Sequence, residues 1–82
     1  MSIRILYFAK IRDLIGKPEE DLLLPEGVTK LSDLVAHLSR LHPVLGGNLA
    51  SVRYARNEEF AALTEPVVDG DTVALIPPVA GG

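Results

Sequence analysis

The stretch from residue 30 to residue 41 constrains the fold most, because it has the clearest helical periodicity in the chain. Its apolar residues recur at intervals of three and four, which places them along one face of a helix. Thr29 is a suitable N-cap, and Pro43 ends the helix because the residue before proline disfavours helical backbone. The predicted apolar stripe consists of Leu31, Leu34, Val35, Leu38 and Leu41.

Four other segments are predicted to be strands, because they are short and rich in β-branched and aromatic residues. The order strand, strand, helix, strand, strand indicates an α+β roll, in which a mixed β-sheet carries one main helix on one face. We expect the first two strands to form a hairpin, and the first and last strands to lie parallel in the middle of the sheet. The predicted strands are residues 3–9, 19–24, 52–57 and 72–76.

The connections carry weaker patterns. Residues 10–15 are predicted to form a short helical turn that ends at Gly16, and residues 44–50 an irregular connection. Residues 58–59 are expected to be the turn after the third strand. Three apolar residues beyond that turn are expected to pack at the margin of the core: Phe60, Leu63 and Val67.

Alternation along the first and last strands predicts an apolar patch on the face away from the helix. The core face of these strands is assigned to Ile3, Ile5, Tyr7, Val73 and Leu75. An exposed apolar patch usually marks a partner surface. The alternative is that the outward residues pack under the connection at residues 10–17. The outward residues are Leu6, Phe8, Ala74 and Ile76.

The chain ends in a narrow tail. After an Asp69-Gly70 turn and the last strand, Pro77 and Pro78 should lead the chain off the sheet in a stiff, extended conformation. Gly81 and Gly82 lack a Cβ, so the only chemistry left at the end is the terminal carboxylate, which is ionised at neutral pH. Such a tail suits insertion into another protein's site, although two terminal glycines alone also fit a terminus without function.

Composition excludes several classes of function. A chain of 82 residues with a formal charge of −3 lacks the basic stripe of a nucleic-acid-binding domain, and its scattered cations do not favour a membrane surface. The absence of cysteine excludes disulfides and thiolate chemistry. With no recognisable signal peptide or apolar span, we expect a soluble, cytoplasmic protein.

Conventional catalytic groups are also missing. His37 and His42 have no third ligand near them in sequence, which argues against a metal site. Asp69-Gly70-Asp71 lacks the further ligands of a calcium loop, and Gly46-Gly47 is too short for a phosphate-binding loop. We therefore expect no metal and no enzymatic activity of the chain on its own.

Two segments carry a family resemblance: Phe8-Ala9-Lys10-Ile11-Arg12-Asp13 with Gly16, and Asp69-Gly70-Asp71 through the terminal Pro77-Pro78-Val79-Ala80-Gly81-Gly82. With these segments at this spacing, the chain resembles the small, sulfur-carrying subunit of molybdopterin synthase over nearly its whole length. The resemblance implies a β-grasp (ubiquitin-like) fold, with a single domain at residues 1–82 and a flexible C-terminal tail at residues 77–82.

The resemblance also implies a mechanism. In this family an activating enzyme uses ATP and magnesium to adenylate the terminal glycine, which would be Gly82, and a sulfur donor displaces AMP to leave a thiocarboxylate. The tail enters the large subunit of a heterotetrameric synthase and gives its sulfur to a cyclic pyranopterin, while Gly81 supplies the clearance. The carrier itself binds no cofactor. The implied partner-binding residues are Leu6, Phe8, Arg12, Ala74, Ile76, Pro77, Pro78, Val79 and Ala80.

Three alternatives remain open at this point. The chain could carry sulfur for thiamine or for tRNA thiolation, although the segment at residues 10–16 and Pro77-Pro78 favour the molybdopterin pathway. It could be a ubiquitin-like modifier that is joined to lysine, or an interaction domain with an incidental tail. Arg56 stands where relatives often have an aliphatic residue, and the sequence offers no explanation for it.

Overall fold

Five strands form one mixed sheet in the computed structural model, which describes residues 2–78. The strand order is β2-β1-β5-β3-β4. As predicted, β1 pairs with β5 in parallel and with β2 in antiparallel. The sheet consists of β1 (Ile3–Tyr7), β2 (Glu19–Leu22), β3 (Arg53–Arg56), β4 (Glu59–Ala61) and β5 (Thr72–Ile76).

Three helical segments accompany the sheet, where the sequence predicted one main helix and a short turn. They are α1 (Ala9–Ile15), α2 (Leu31–Leu41) and a 3₁₀ segment at Pro43–Leu49. Gly16 ends α1 in a left-handed conformation with φ of 89°, as predicted. The 3₁₀ segment replaces the irregular connection expected at residues 44–50, and Gly46, with φ of 47°, interrupts it.

The core lies between α2 and one face of the sheet. From α2, Leu31, Leu34 and Leu38 are fully buried in one hydrophobic cluster with the predicted inward residues of β1 and β5. Each such side chain contributes about 1.5–3 kcal/mol when it is removed from water. Leu41 was predicted to extend the stripe, but it is 46% exposed, so the buried face ends a turn earlier.

The start of α2 lies one residue later than predicted, with Lys30 rather than Thr29 as its N-cap. The Asp33 carboxylate accepts hydrogen bonds from the backbone N–H groups of Thr29 and Lys30, at 3.2 and 3.3 Å. These bonds, that from Thr29 above all, lower the pKa of Asp33. The next two amides, of Leu31 and Ser32, donate to backbone carbonyls of the connection after β4. Carbonyls of this connection thus satisfy the first two amides of the helix, which would otherwise lack a partner.

Arg56 holds that connection in place, which explains the residue that the sequence left unaccounted for. Its guanidinium donates to the carbonyl oxygen of Pro66 at 2.6 Å and to the carboxylate of Glu65 at 3.0 Å. The other oxygen of Glu65 accepts from the backbone N–H of Ala62 at 2.8 Å. The carbonyl of Glu65 is in turn one of the acceptors at the start of α2. Arg56 therefore connects β3 to the first turn of the main helix.

The hairpin between β3 and β4 corrects the prediction for this region. The turn is formed by Asn57 and Glu58 rather than by residues 58–59, and the following residues form a strand that was not predicted. Both turn residues have positive φ, 52° and 72°, as a two-residue type I′ turn requires. Asn57 is held there by a hydrogen bond from Thr72 N–H to its side-chain oxygen and one from its amide to Asp71, both 3.0 Å.

A polar cluster fixes the end of β1. The Tyr7 hydroxyl donates to the Glu20 carboxylate, which also contacts His42 Nε2 at 2.6 Å and Lys17 Nζ at 3.1 Å. Burial acts to raise the pKa of Glu20, but the hydrogen bonds from Tyr7, Lys17 and His42 outweigh it, so this pKa is lowered overall. Since His42 follows the last residue of α2, the cluster joins β1, β2 and the end of the main helix.

Replacing Glu58 by glycine should raise the free energy of unfolding. A left-handed conformation costs a residue with a Cβ about 1–2 kcal/mol, and glycine removes this cost. The greater flexibility of glycine in the unfolded chain lowers stability by about 0.4–1 kcal/mol. We expect a net increase of about 0–1.6 kcal/mol in the free energy of unfolding, measured by urea denaturation. The control is Glu59→Gly in β4, which should lower stability. Equal losses in both variants would contradict the strained turn.

Glu20→Gln should destabilise the protein in a pH-dependent way. Because the folded-state pKa of Glu20 lies below its ordinary value of 4.5, the carboxylate stabilises the fold above that pH and loses its effect as pH falls through the folded-state value. We expect a loss of about 1–3 kcal/mol at pH 7, which shrinks between pH 5 and pH 3. Urea denaturation across this range measures it, with exposed Glu26→Gln as control. A difference that stays constant over the range would refute the role of the ionised form.

Candidate functional site

The outer face of the sheet, opposite α2, carries a line of apolar side chains. Leu6 lies opposite Ala74, Ala74 opposite Ala55, and Ala55 opposite Phe60, so the line crosses four adjacent strands. Phe8 and Ile76 lie on one side of this line, two residues beyond Leu6 and Ala74 along the chain. Together with Glu58 and Thr72, these side chains line an open cavity of about 250 Å³. We call this surface the sheet-face patch: Leu6, Phe8, Ala55, Phe60, Ala74 and Ile76.

The patch has small residues at its floor and large ones at its walls. Ala55 and Ala74 are both 8% exposed, whereas Phe8 is 44% exposed and Phe60 61%. The cavity exists because the alanines leave room between the two rings. All four outward residues predicted from the strand pattern line it, and none of residues 10–17 does. The alternative in which those four residues pack under the connection after β1 is therefore wrong.

Phe60 is the patch residue that the sequence missed. It was expected at the margin of the core, but it lies on the outer face, where the guanidinium carbon of Arg53 is 4.0 Å from the centroid of its ring. This is the geometry of a cation–π contact. Leu63, also expected in the core, is 45% exposed, while Val67 is buried as predicted. Alternation after the Asn57 turn would have placed Phe60 outward, had β4 been recognised.

The position of Phe8 is set by a sharp change in the backbone. Phe8 is extended, and Ile11 is buried and anchors α1 to the core. Between them Ala9 has φ of 48°, in the left-handed region that residues with a Cβ rarely adopt. The carbonyl of Phe8 accepts from the N–H groups of Ile11 and Arg12, at 3.1 and 3.3 Å. This turn leaves the Phe8 ring at the margin of the patch, and Arg12 is exposed one turn further along α1.

The root of the tail adjoins the patch. Ile76 ends β5, the middle strand of the sheet, and pairs there with Arg53. A second hollow, of about 280 Å³, is lined by Phe8, Ala9, Ile76 and Pro77. The patch and the exit of the tail therefore form one continuous surface.

Several predicted site residues lie outside the described range. Pro77 and Pro78 follow β5 and are the last residues that the structure describes. The predicted roles of Val79, Ala80, Gly81 and Gly82 fall beyond that range and stay predictions.

No group of three or more His, Cys, Asp or Glu side chains that could hold a metal ion is present within residues 2–78. His42, one of the two histidines considered as metal ligands from the sequence, pairs with Glu20. Over the same range, no helix has the length and apolar character needed to cross a membrane.

Comparison with known proteins places this geometry in a family. The ThiS family profile matches residues 5–82. A protein of Chlamydomonas reinhardtii named molybdopterin synthase sulfur carrier subunit is 38% identical over 84 residues, which cover 100% of both chains.

Two solved structures have the same fold. SAMP1 from Haloferax volcanii superposes with a TM-score of 0.87, at 29% identity and full coverage of both chains. A chain from the complex of subunits 1 and 2 of the molybdopterin-converting factor of Helicobacter pylori gives a TM-score of 0.69, at 25% identity and again with full coverage. The five-stranded mixed sheet is thus that of the ubiquitin-like β-grasp proteins, and the chain belongs to the ThiS family.

Proposed function

We propose that this chain is the sulfur carrier subunit of a molybdopterin synthase. The observation that carries the proposal is its end-to-end similarity to the Chlamydomonas reinhardtii protein of that name. The geometry supports it, because the sheet-face patch adjoins the root of the tail. A protein that docks on the patch is therefore placed to receive the residues that follow Pro78.

The chemistry would take place at the terminal carboxylate. A carboxylate is a poor acyl donor, since its charge repels nucleophiles and oxide is a poor leaving group. An activating enzyme with ATP and magnesium would join the Gly82 carboxylate to AMP and release pyrophosphate. A sulfur donor would then displace AMP, leaving one carboxylate oxygen replaced by sulfur. In this scheme the chain itself would bind neither ATP nor metal. We propose that it acts in the cytoplasm.

The second step would belong to the partner. The large subunit would take the charged tail into its own site, where the acid, base and phosphate-binding groups lie. The sulfur of Gly82 would pass to the cyclic pyranopterin precursor, and water would hydrolyse the acyl group so that the terminus returns to a carboxylate. Because each chain delivers one sulfur, two such deliveries would build the dithiolene. In this scheme Gly81 lets the tail enter a narrow channel because it has no Cβ. Pro77 and Pro78 stiffen the approach.

A second function has its own support. The H. volcanii neighbour is described as a small archaeal modifier protein, and this chain matches it along its full length. A modifier would use the same adenylated terminus, but it would end in an isopeptide bond to a lysine of another protein. Higher-mass conjugates that contain this chain, formed in lysate and lost on deletion of Gly82, would favour that function.

The intact mass of the chain tests the proposed chemistry. We expect incubation with the cognate activating enzyme, ATP, magnesium and a sulfur donor to raise the mass by the difference between sulfur and oxygen. Deletion of Gly82, or Gly81→Trp, should leave the thermal unfolding transition unchanged but abolish sulfur transfer to the precursor. If the mass of the unsubstituted chain stays unchanged under conditions that convert a known sulfur carrier, the proposal is wrong. Normal transfer by either variant would contradict the threaded tail.

The Phe8 ring tests the docking surface. Phe8→Arg should weaken binding to the large subunit by about 30-fold or more, because an aromatic side chain that is desolvated in an interface contributes about 2 kcal/mol or more. Phe60→Arg should act in the same direction. Leu23→Arg is the matched control, since Leu23 is 77% exposed and lies outside the patch. Titration calorimetry measures all three, and equal affinities of the Phe8 and Leu23 variants would place the interface elsewhere.

A further inference from the structure

A groove lies on the other side of the tail root from the sheet-face patch. It has a volume of about 580 Å³ and runs between the first turn of α1, the end of the 3₁₀ segment and the tail root. It shares Ala9 and Pro77 with the hollow beside Phe8, so the two surfaces are continuous around the tail. We call it the Lys10 groove: Lys10, Gly47, Asn48, Ser51, Pro77 and Pro78.

The lining of the groove differs chemically from the patch. Three of its lining residues are polar, namely Lys10, Asn48 and Ser51, whereas the patch is mostly apolar. The amide nitrogen of Asn48 already donates to the Leu45 carbonyl at 2.9 Å, which leaves its side-chain oxygen as an acceptor. A Cβ built on Gly47 would meet no atom within 4 Å, so the backbone there borders open space. The groove thus offers hydrogen-bonding groups and one cation to a segment of chain.

The charge of the groove has no acidic counterpart in the described structure. Arg4, Lys17 and Arg56 each pair with a carboxylate of this chain. Within residues 2–78, no such ion pair involves the other five cations, although the chain carries a net charge of −3. Two of these five, Lys10 and Arg53, lie beside the tail root. Lys10 lines the groove on one side of the tail root, and Arg53 lies opposite Ile76 on the other. The tail root is therefore flanked by two cations, Lys10 and Arg53, that have no carboxylate partner within residues 2–78.

We propose that the Lys10 groove is a second contact surface for the large subunit, which fills it with a segment whose acidic side chain pairs with Lys10. This inference rests on the proposed function, because the protein that takes in the tail must approach the chain around Pro77 and Pro78. The apolar patch supplies most of the affinity. The ion pair at Lys10 orients the tail and speeds association, which makes binding depend on salt.

Two variants test the groove by different means, with the full chain and the intact large subunit. Lys10→Glu reverses the charge and should weaken binding at least tenfold at low salt, with a smaller loss at high salt because ions screen the pair. Gly47→Phe fills the groove and should weaken binding similarly at both salt concentrations. Arg40→Glu is the charge-matched control, since Arg40 is exposed on α2 and lines neither surface; it should bind like the parent.

The outcomes separate this inference from the proposed function. If Phe8→Arg weakens binding while the Lys10 and Gly47 variants bind like the parent, the groove proposal is wrong and the proposed function stands. Tighter binding by Gly47→Phe would mean that the chain's own tail occupies the groove, which also overturns the proposal. The proposal would also be overturned if the free chain sediments as a dimer and the Gly47→Phe variant sediments as a monomer. A parent that fails to bind the large subunit would refute both proposals.

Discussion

The parallel pairing of β1 with β5 is the constraint on which the rest of the molecule depends. It joins the two ends of the chain in the middle of the sheet, with Leu6 opposite Ala74 and Tyr7 opposite Leu75. One face of the pair then belongs to the core under α2, and the other carries the patch. Because both strands run in the same direction, Phe8 and the tail root follow the same end of the strand pair. The proposed docking surface and the root of the tail are thereby brought together.

Local sequence was sufficient where one short-range pattern dominated. The alternation of Val73, Ala74 and Leu75 determined which face of β5 is buried, and the spacing of Leu31, Leu34 and Leu38 determined the buried face of α2. The parallel pairing of the first and last strands was predicted from the order of the elements along the chain. The apolar patch could be predicted for the same reason, since its residues on the first and last strands alternate with the core residues that were assigned correctly.

Sequence reasoning failed where long-range contacts override local preference. Asn57 and Glu58 lack the glycine that usually signals a type I′ turn, and Asn57 is stabilised by Thr72, fifteen residues away. After that turn the chain forms β4, and Phe60 lies on the outer face of this strand and not at the margin of the core, where it was predicted. Arg56 is a similar case, because its partners Glu65 and Pro66 belong to a connection that no local pattern would place beside it.

The central position of β5 also determines how the fold responds to traction on its last residues. A pull along the tail would load the hydrogen bonds to β1 and β3 side by side, in shear, because β5 is flanked on both edges. Such bonds must break together, whereas those of an edge strand peeled from its end would open one after another. A load applied at Pro77 would therefore meet the resistance of both sets of hydrogen bonds at once before β5 could leave the sheet.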